Sequence, residues 1–209
     1  KELLPSQGPV RTQIIGTPTP DKEQQSLRVK EFMNYQIMSE MKEYESEFDQ
    51  MLFYLPLTGS TFKKVYYDEM MQRTVSKFVP ADDLVVPYTA TSLDDAETII
   101  HVVKMSENEL RKQQVAGFYR DIELTPGQDN ETDAQRKERE LDGMAKGRNQ
   151  PMFTLLECHV NLDIEGFEDT DTTGQATGIK LPYIVTVEEA SREVLSIRRN
   201  YEVGDVTRS

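Results

Sequence analysis

Apolar positions change period along this chain. From residue 22 to residue 55 they recur at steps of four and three: Met33, Ile37, Met41, Tyr44, Phe48, Met51 and Leu55. That spacing puts all seven on one face of a helix. Glu40, Lys42, Glu43, Glu45 and Glu47 lie mostly off the stripe, and no proline interrupts it until Pro56. The run is long for a globular helix, which allows a break near Asn34. The period then drops to two. Residues 60–67 are rich in aromatic and β-branched types, Asp68 and Glu69 begin a polar break, and residues 73–79 supply a returning strand. Pro80 cannot donate to a ladder and is expected to end that strand or sit at an edge.

The rest of the chain alternates strand-like runs with polar breaks. Residues 81–87 read as a short buried strand, and a stronger strand covers 98–105. Ser106-Glu-Asn-Glu109 has the capping-box pattern, in which serine and glutamate side chains satisfy each other's backbone amides. It opens a helix through Leu110, Val115 and Phe118 that ends near Gly117. Residues 151–201 predict a β-meander of three runs, 152–164, 179–189 and 193–201. An acidic connection, 165–178, joins the first two, and a short hairpin turn at 189–192 joins the others. Residues 1–20 read as an extended arm with one edge strand at 10–15; after its last proline, Asp21 is a helix cap or first-turn acid. Residues 125–150 are polar and charge-mixed, with too little apolar surface to offset ordering, and predict a flexible insertion. The expected class is α+β: a long amphipathic helix, antiparallel or mixed sheet blocks, and a short capped helix. The expected parts are 1–20, 21–124, 125–150 and 151–209, with the helix packed on a sheet drawn from both strand blocks.

Composition narrows the function. The 209 residues hold 37 acidic against 24 basic side chains, for a formal charge of −13. A surface that grips nucleic-acid phosphates needs clustered Lys and Arg, so that class is disfavoured. Mean hydropathy is low, at −0.61, so either the loops are long or some apolar surface belongs to partner contacts. No apolar run approaches the roughly 18 residues of a membrane span, and no signal peptide opens the chain. The chain begins at Lys1 and reads as a piece of a longer polypeptide. The single cysteine, Cys158, excludes an internal disulfide and fits a small hydrophobe in an apolar strand.

Candidate chemistry is thin. Asp169, Asp171, Thr173 and Gly174 match the first positions of an EF-hand loop, but Lys180 stands where a bidentate carboxylate belongs. The segment also lies between strands, so a solvated hairpin loop is the stronger reading. His101 and His159 fall inside strand runs without a second ligand at metal spacing. Cys158 and His159 point to opposite faces of one strand; His101 could reach Cys158 only across a sheet. Glycine-rich phosphate loops are absent. No catalytic, cofactor-binding or metal-binding residue is assigned, and no cofactor. Met33, Met38, Met41 and Met51 lie on or beside the helical seam and give it an adaptable packing surface. They face either the core, where Tyr44, Phe48 and Leu55 are expected, or a neighbouring subunit.

Several longer strings carry more. LPLTGSTFKKVYYDE, FVPADDLVVPY and HVVKMSENELRKQQVAGFYRD closely resemble portal proteins of short-tailed, double-stranded-DNA bacteriophages. LLECHVNLDIEGFED and GIKLPYIVTVEEASREVLSIRRNY resemble the part that follows in the same proteins. The likeness covers residues 1–201, with 128–150 the least typical. It implies a structural, non-enzymatic ring subunit from the wing region, located at one vertex of the virion capsid and assembled in the bacterial host cytoplasm. The implied partners are other portal subunits in a dodecameric ring, capsid and scaffolding proteins, and, through the clip rather than the wing, terminase and tail adaptors. DNA would pass the channel without sequence-specific binding, and no membrane is involved. A free-standing β-rich adaptor module is the alternative reading from the residues themselves.

Overall fold

The computed structural model describes residues 4–5, 8–124, 152–170 and 173–201. The flexible insertion expected at 125–150 lies outside the described residues. The chain divides into two compact units, Lys1–Asp82 and Asp83–Ser209. Every strand pair in either unit is antiparallel. The class is α+β, as the pattern predicts.

The first unit opens with a residue 8–16 stretch that is extended but forms no strand. It is pinned along helix α1 (Pro20–Tyr35). Asn34 accepts the Val10 N–H at 2.9 Å and donates to the Val10 carbonyl at 3.2 Å. Two turns back, Ser26 donates to the Thr12 hydroxyl. Gly8 passes so close that an added Cβ would lie 2.2 Å from Asn34 Oδ1. The edge strand expected at 10–15 is therefore replaced by side-chain clamping. Thr19 caps α1, Pro20 takes the first helical position, and Asp21 is a first-turn acid rather than the cap.

The long helical run exists and is divided. A π-turn, Gln36–Glu40, follows α1 and closes with Met41 N–H on the Gln36 carbonyl. The backbone leaves helical geometry at Met41 (ψ 75°) and restarts as α2, Tyr44–Thr58. The break falls past Asn34, where contacts to the hairpin begin. Pro56 does not end the helix: α2 continues two residues beyond it, and Gly59, in the left-handed region at φ 76°, closes it by donating to the Leu55 carbonyl. Hairpin strands β1 (Thr61–Asp68) and β2 (Arg73–Pro80) lie within a residue of their expected bounds. Asp68 accepts from the Met70 and Met71 amides to shape the turn. Tyr54 of α2 stacks on Phe78 at 5.5 Å, and Lys63 Nζ sits 3.6 Å from the Tyr44 ring centre.

The second unit is a five-stranded sheet in the order β3-β4-β5-β6-β7. Its strands are β3 (Leu84–Val85), β4 (Thr98–Ser106), β5 (Met152–Leu162), β6 (Leu181–Glu188) and β7 (Val194–Arg199). β3 was expected to be buried; it is a two-residue edge whose Val85 and following Val86 are exposed. Ser106 ends β4 and caps α3 (Glu107–Val115) with the full capping box, accepting from Glu109 N–H at 3.3 Å while Glu109 Oε2 accepts the Ser106 N–H at 3.1 Å. The helix thus folds straight back on the sheet. Leu110 meets Phe153, Leu155, Leu195 and Tyr119 in the core. Val115, expected on the packed face, is 76% exposed. Buried Gln114 donates to the Arg120 and Ile122 carbonyls and ties the exit strand of chain beside the sheet. The five-stranded sheet joins β3 and β4 of the first strand block to β5–β7 of the second, as expected, while the hairpin β1–β2 stands as a sheet of its own and is the one that α2 packs on.

Candidate functional site

Register decides the candidate chemistry first. His101 stands opposite Glu157, whereas Cys158 stands opposite Ile100 and Val185. Opposite residues share a face of the sheet, so His101 and Cys158 point to opposite faces and cannot pair. Burial, followed by the neighbouring Glu157 carboxylate, pushes the Cys158 thiol up, away from the thiolate a nucleophile needs. His159 Nε2 lies 3.1 Å from Glu157 Oε1, a pairing within one strand. Among the described residues no group of three His, Cys, Asp or Glu side chains is arranged to hold a metal ion.

The acidic connection uses its carboxylate internally. Asp169 is buried; its Oδ2 accepts the Thr177 hydroxyl at 2.6 Å and its carbonyl accepts the Thr177 N–H at 2.8 Å. Thr170 bridges to Ala176 across the same loop. Asp171 lies outside the described residues. Among the described residues no helix is long and apolar enough to cross a membrane.

Apolar surface is the more informative feature. The most enclosed face of α1 is Ser26, Lys30 and Asn34, spaced at four and turned under the arm. Leu27, Val29, Phe32, Met33 and Tyr35 are exposed instead. A 16-residue helix standing alone is marginal in water, and this one turns its polar side inward. Met33 in α1 is 42% exposed and Met38 in the π-turn 40%, while Met41 at the break and Met51 in α2 are half-buried. Their exposure divides the four into an earlier, exposed pair and a later, half-buried pair, with the helix break at Met41. Tyr44 and Phe48 are half-buried, as expected of a core face, and stack at 6.0 Å. Leu55 is exposed, against expectation; the residue before it, Tyr54, about 100° round the helix, is the one that stacks on Phe78.

One pair of residues that periodicity assigned to the solvent face organises the first unit. Glu43 holds Arg73 at 2.8 Å and accepts the Ser76 N–H at 3.3 Å; Glu47 accepts the Phe78 N–H at 2.7 Å. One helical turn spans about 5.4 Å, and two strand residues about 6.6 Å, so carboxylates four apart on α2 meet amides two apart on β2. Glutamates spaced at four beside a hairpin were the available signal.

A family model described as "Phage SU10 portal protein" matches residues 17–171, more than half of the chain. No curated protein matches the chain. The chain belongs to the phage SU10 portal protein family, structural components of the virion at the capsid vertex that assemble with other portal subunits and the capsid.

Proposed function

We propose that this chain is wing-region material of a portal subunit, both compact units forming one wing domain in a dodecameric ring through which phage DNA is packaged and later ejected. The family match across residues 17–171 carries this reading. The outward apolar residues of α1 support it, because a helix with its polar face inward gains most when a neighbour covers it. In this reading Met33 and Met38 meet the adjacent subunit, and Met41 and Met51 pack within their own. The wing performs no catalysis and takes no cofactor. Scaffolding protein acts during assembly in the host cytoplasm, and terminase and tail adaptors dock on the clip, a separate part of a portal subunit. DNA slides past without sequence-specific contacts, consistent with a net charge of −13.

Size-exclusion chromatography with light scattering on the full-length portal chain tests the assembly. A particle near twelve copies is expected. A folded monomer at every concentration would overturn the ring and favour a free-standing adaptor module.

A further inference from the structure

The break between α1 and α2 has no cause in the residues that make it. Neither Gly nor Pro occurs between Asp21 and Leu55, and Gln36, Met38, Glu40, Met41, Lys42 and Glu43 are all good helix formers. Local preference and observed shape disagree here, which marks a place where a second arrangement lies near in energy. The bent form is itself well bonded. The Met41, Lys42 and Tyr44 amides donate five, two and three residues back, to Gln36, Glu40 and Met41, at 2.9, 3.1 and 2.9 Å. Tyr35, Gln36 and Glu43 keep right-handed helical torsions, whereas Met41, at φ −83° and ψ 75°, sits at the centre of an unstrained inverse γ-turn. Turning ψ of Met41 to about −42° and moving each of the three amides to the carbonyl four residues back gives one helix over residues 20–58. Each amide keeps a partner in either form.

α2 is anchored and α1 is not. α2 packs on both hairpin strands, while among the described residues α1 has no comparable packing with either. The contacts to β2 start at Glu43, on the α2 side of the joint; they fix where the joint falls, not the direction α1 takes. The arm moves with α1, since its clamps, Val10 on Asn34 and Thr12 on Ser26, lie wholly within that piece. At 100° per residue, a continuous helix gathers the stripe from Met33 to Leu55 into a sector of about 80°. β2 runs parallel to α2, Glu43 meeting Ser76 and Glu47 meeting Phe78, so the hairpin turn lies beyond the start of α2. Straightened residues 36–40 would run beside that turn, where Met70 and Met71 are 52% and 61% exposed. Ile37 and Met33 then continue the Tyr44 and Phe48 seam toward it.

We propose that residues 36–43 are a two-state hinge. Bent, as in this structure, the joint leaves the hairpin turn uncovered. Straight, residues 20–58 form one helix that lies along the turn and covers Met70 and Met71. The motion is carried by a few torsions at the end of an element, the usual form of a hinge, and needs no second chain. A partner that covers the outward residues of α1 favours whichever form presents them, so the hinge couples the direction of α1 to what binds it.

Paired spin labels in the 209-residue chain test it. Cys158→Ser removes the native thiol, and Gln25→Cys with Gln50→Cys places a label at an exposed position of each helix. On one straight helix the two sites are about 38 Å apart, and a bend brings them closer. Dipolar electron spin spectroscopy should show two separations, the longer one at the straight-helix value in about a tenth of the molecules. Lys42→Pro should remove the longer one alone while the melting temperature holds. Met41 to Tyr44 form a β-turn closed by the Tyr44 N–H on the Met41 carbonyl, with Glu43 at φ −80° and ψ −17°. Proline is favoured at the second position of such a turn, yet it disfavours helical torsions at the residue before it, Met41. Met41→Gly keeps every N–H and weakens a continuous helix, so it should shrink the longer population severalfold even if the proline variant fails to fold. A single shorter separation in the chain without these two substitutions means a fixed bend and overturns the hinge. A single separation at the straight-helix value overturns it too, because the bent form is then not populated. Two separations whose proportions neither Lys42→Pro nor Met41→Gly alters place the motion outside residues 36–43, and the proposal falls.

Discussion

Glu43 ties three things together: the restart of the helix, the Arg73 guanidinium at 2.8 Å, and an amide on the edge of β2. Burial alone would raise its pKa, but hydrogen bonds from Arg73 and the Ser76 amide outweigh that and hold it below the ordinary glutamate value. A lowered folded-state pKa contributes stability that is full above the unfolded value and lost as pH falls through the folded one. Glu43→Gln should therefore lower the melting temperature at neutral pH, with a deficit that shrinks as pH drops below the glutamate range. A deficit constant into strong acid would mean that the contact is not ionic. Asp169 gives a second residue-scale expectation. Its carboxylate already holds the Thr177 hydroxyl, so Asp169→Ala should cost about 1–3 kcal/mol of loop or global stability. Thermal melts of both proteins should show the same loss with and without calcium; a calcium-dependent upward shift in the unsubstituted chain alone would reinstate a cation site. Residues such as these are half legible in sequence. Asp169 looks like a ligand and Glu43 like a solvated charge, because a one-dimensional pattern shows which groups are polar and not which amide they meet.

Elements were legible where their signals are local. The capping box at Ser106 needs only four residues, and it forms as read. Ser106→Ala should destabilise α3 by about 1 kcal/mol, seen as a small melting shift and faster amide exchange at Glu109 and Leu110. An unchanged exchange rate there would show that packing by Leu110, not the cap, starts the helix. The hairpin was equally clear, since alternation specifies a pleated surface and Pro80 ends it. The division of the long helix was not. Met33, Ile37, Met41, Tyr44 and Phe48 keep their spacing across the break, so periodicity runs on through a π-turn that carries neither Gly nor Pro. Tertiary contacts set the break: Glu43 and Glu47 must align with alternate β2 amides. The same contact explains why, among the described residues, no further strand pairs with β2. Its outer amides at Ser76 and Phe78 are taken, and the turn Ala81–Asp83 leads the chain away.

At the scale of the whole molecule, the proposed ring gives the methionines two different roles, assembly for Met33 and Met38 and the fold for Met41 and Met51. Sequence spacing placed Met33, Met38, Met41 and Met51 on or beside one seam; the π-turn divides them into an exposed pair and a half-buried pair. That division carries an expectation for each. A glutamate at an exposed site away from internal contacts changes stability by at most about 0.5 kcal/mol, so Met33→Glu and Met38→Glu should leave the melting curve of this 209-residue chain nearly unchanged. In the full-length portal they should reduce ring yield, because a charge would be desolvated at the covered face of α1. Met41→Glu and Met51→Glu should do the reverse. They place a carboxylate beside the helix–hairpin packing and should cost about 1–2 kcal/mol in the isolated chain, with ring loss only as far as unfolding explains it. Differential scanning calorimetry of the chain and light scattering of the full-length variants, read together, give two numbers per residue. If Met33→Glu and Met38→Glu assemble like the unsubstituted protein, α1 faces solvent in the ring, and its outward apolar residues are covered by something other than an adjacent subunit. If those two variants instead lower the melting temperature as much as Met51→Glu does, the exposed pair belongs to the fold, and assembly must draw on other surfaces.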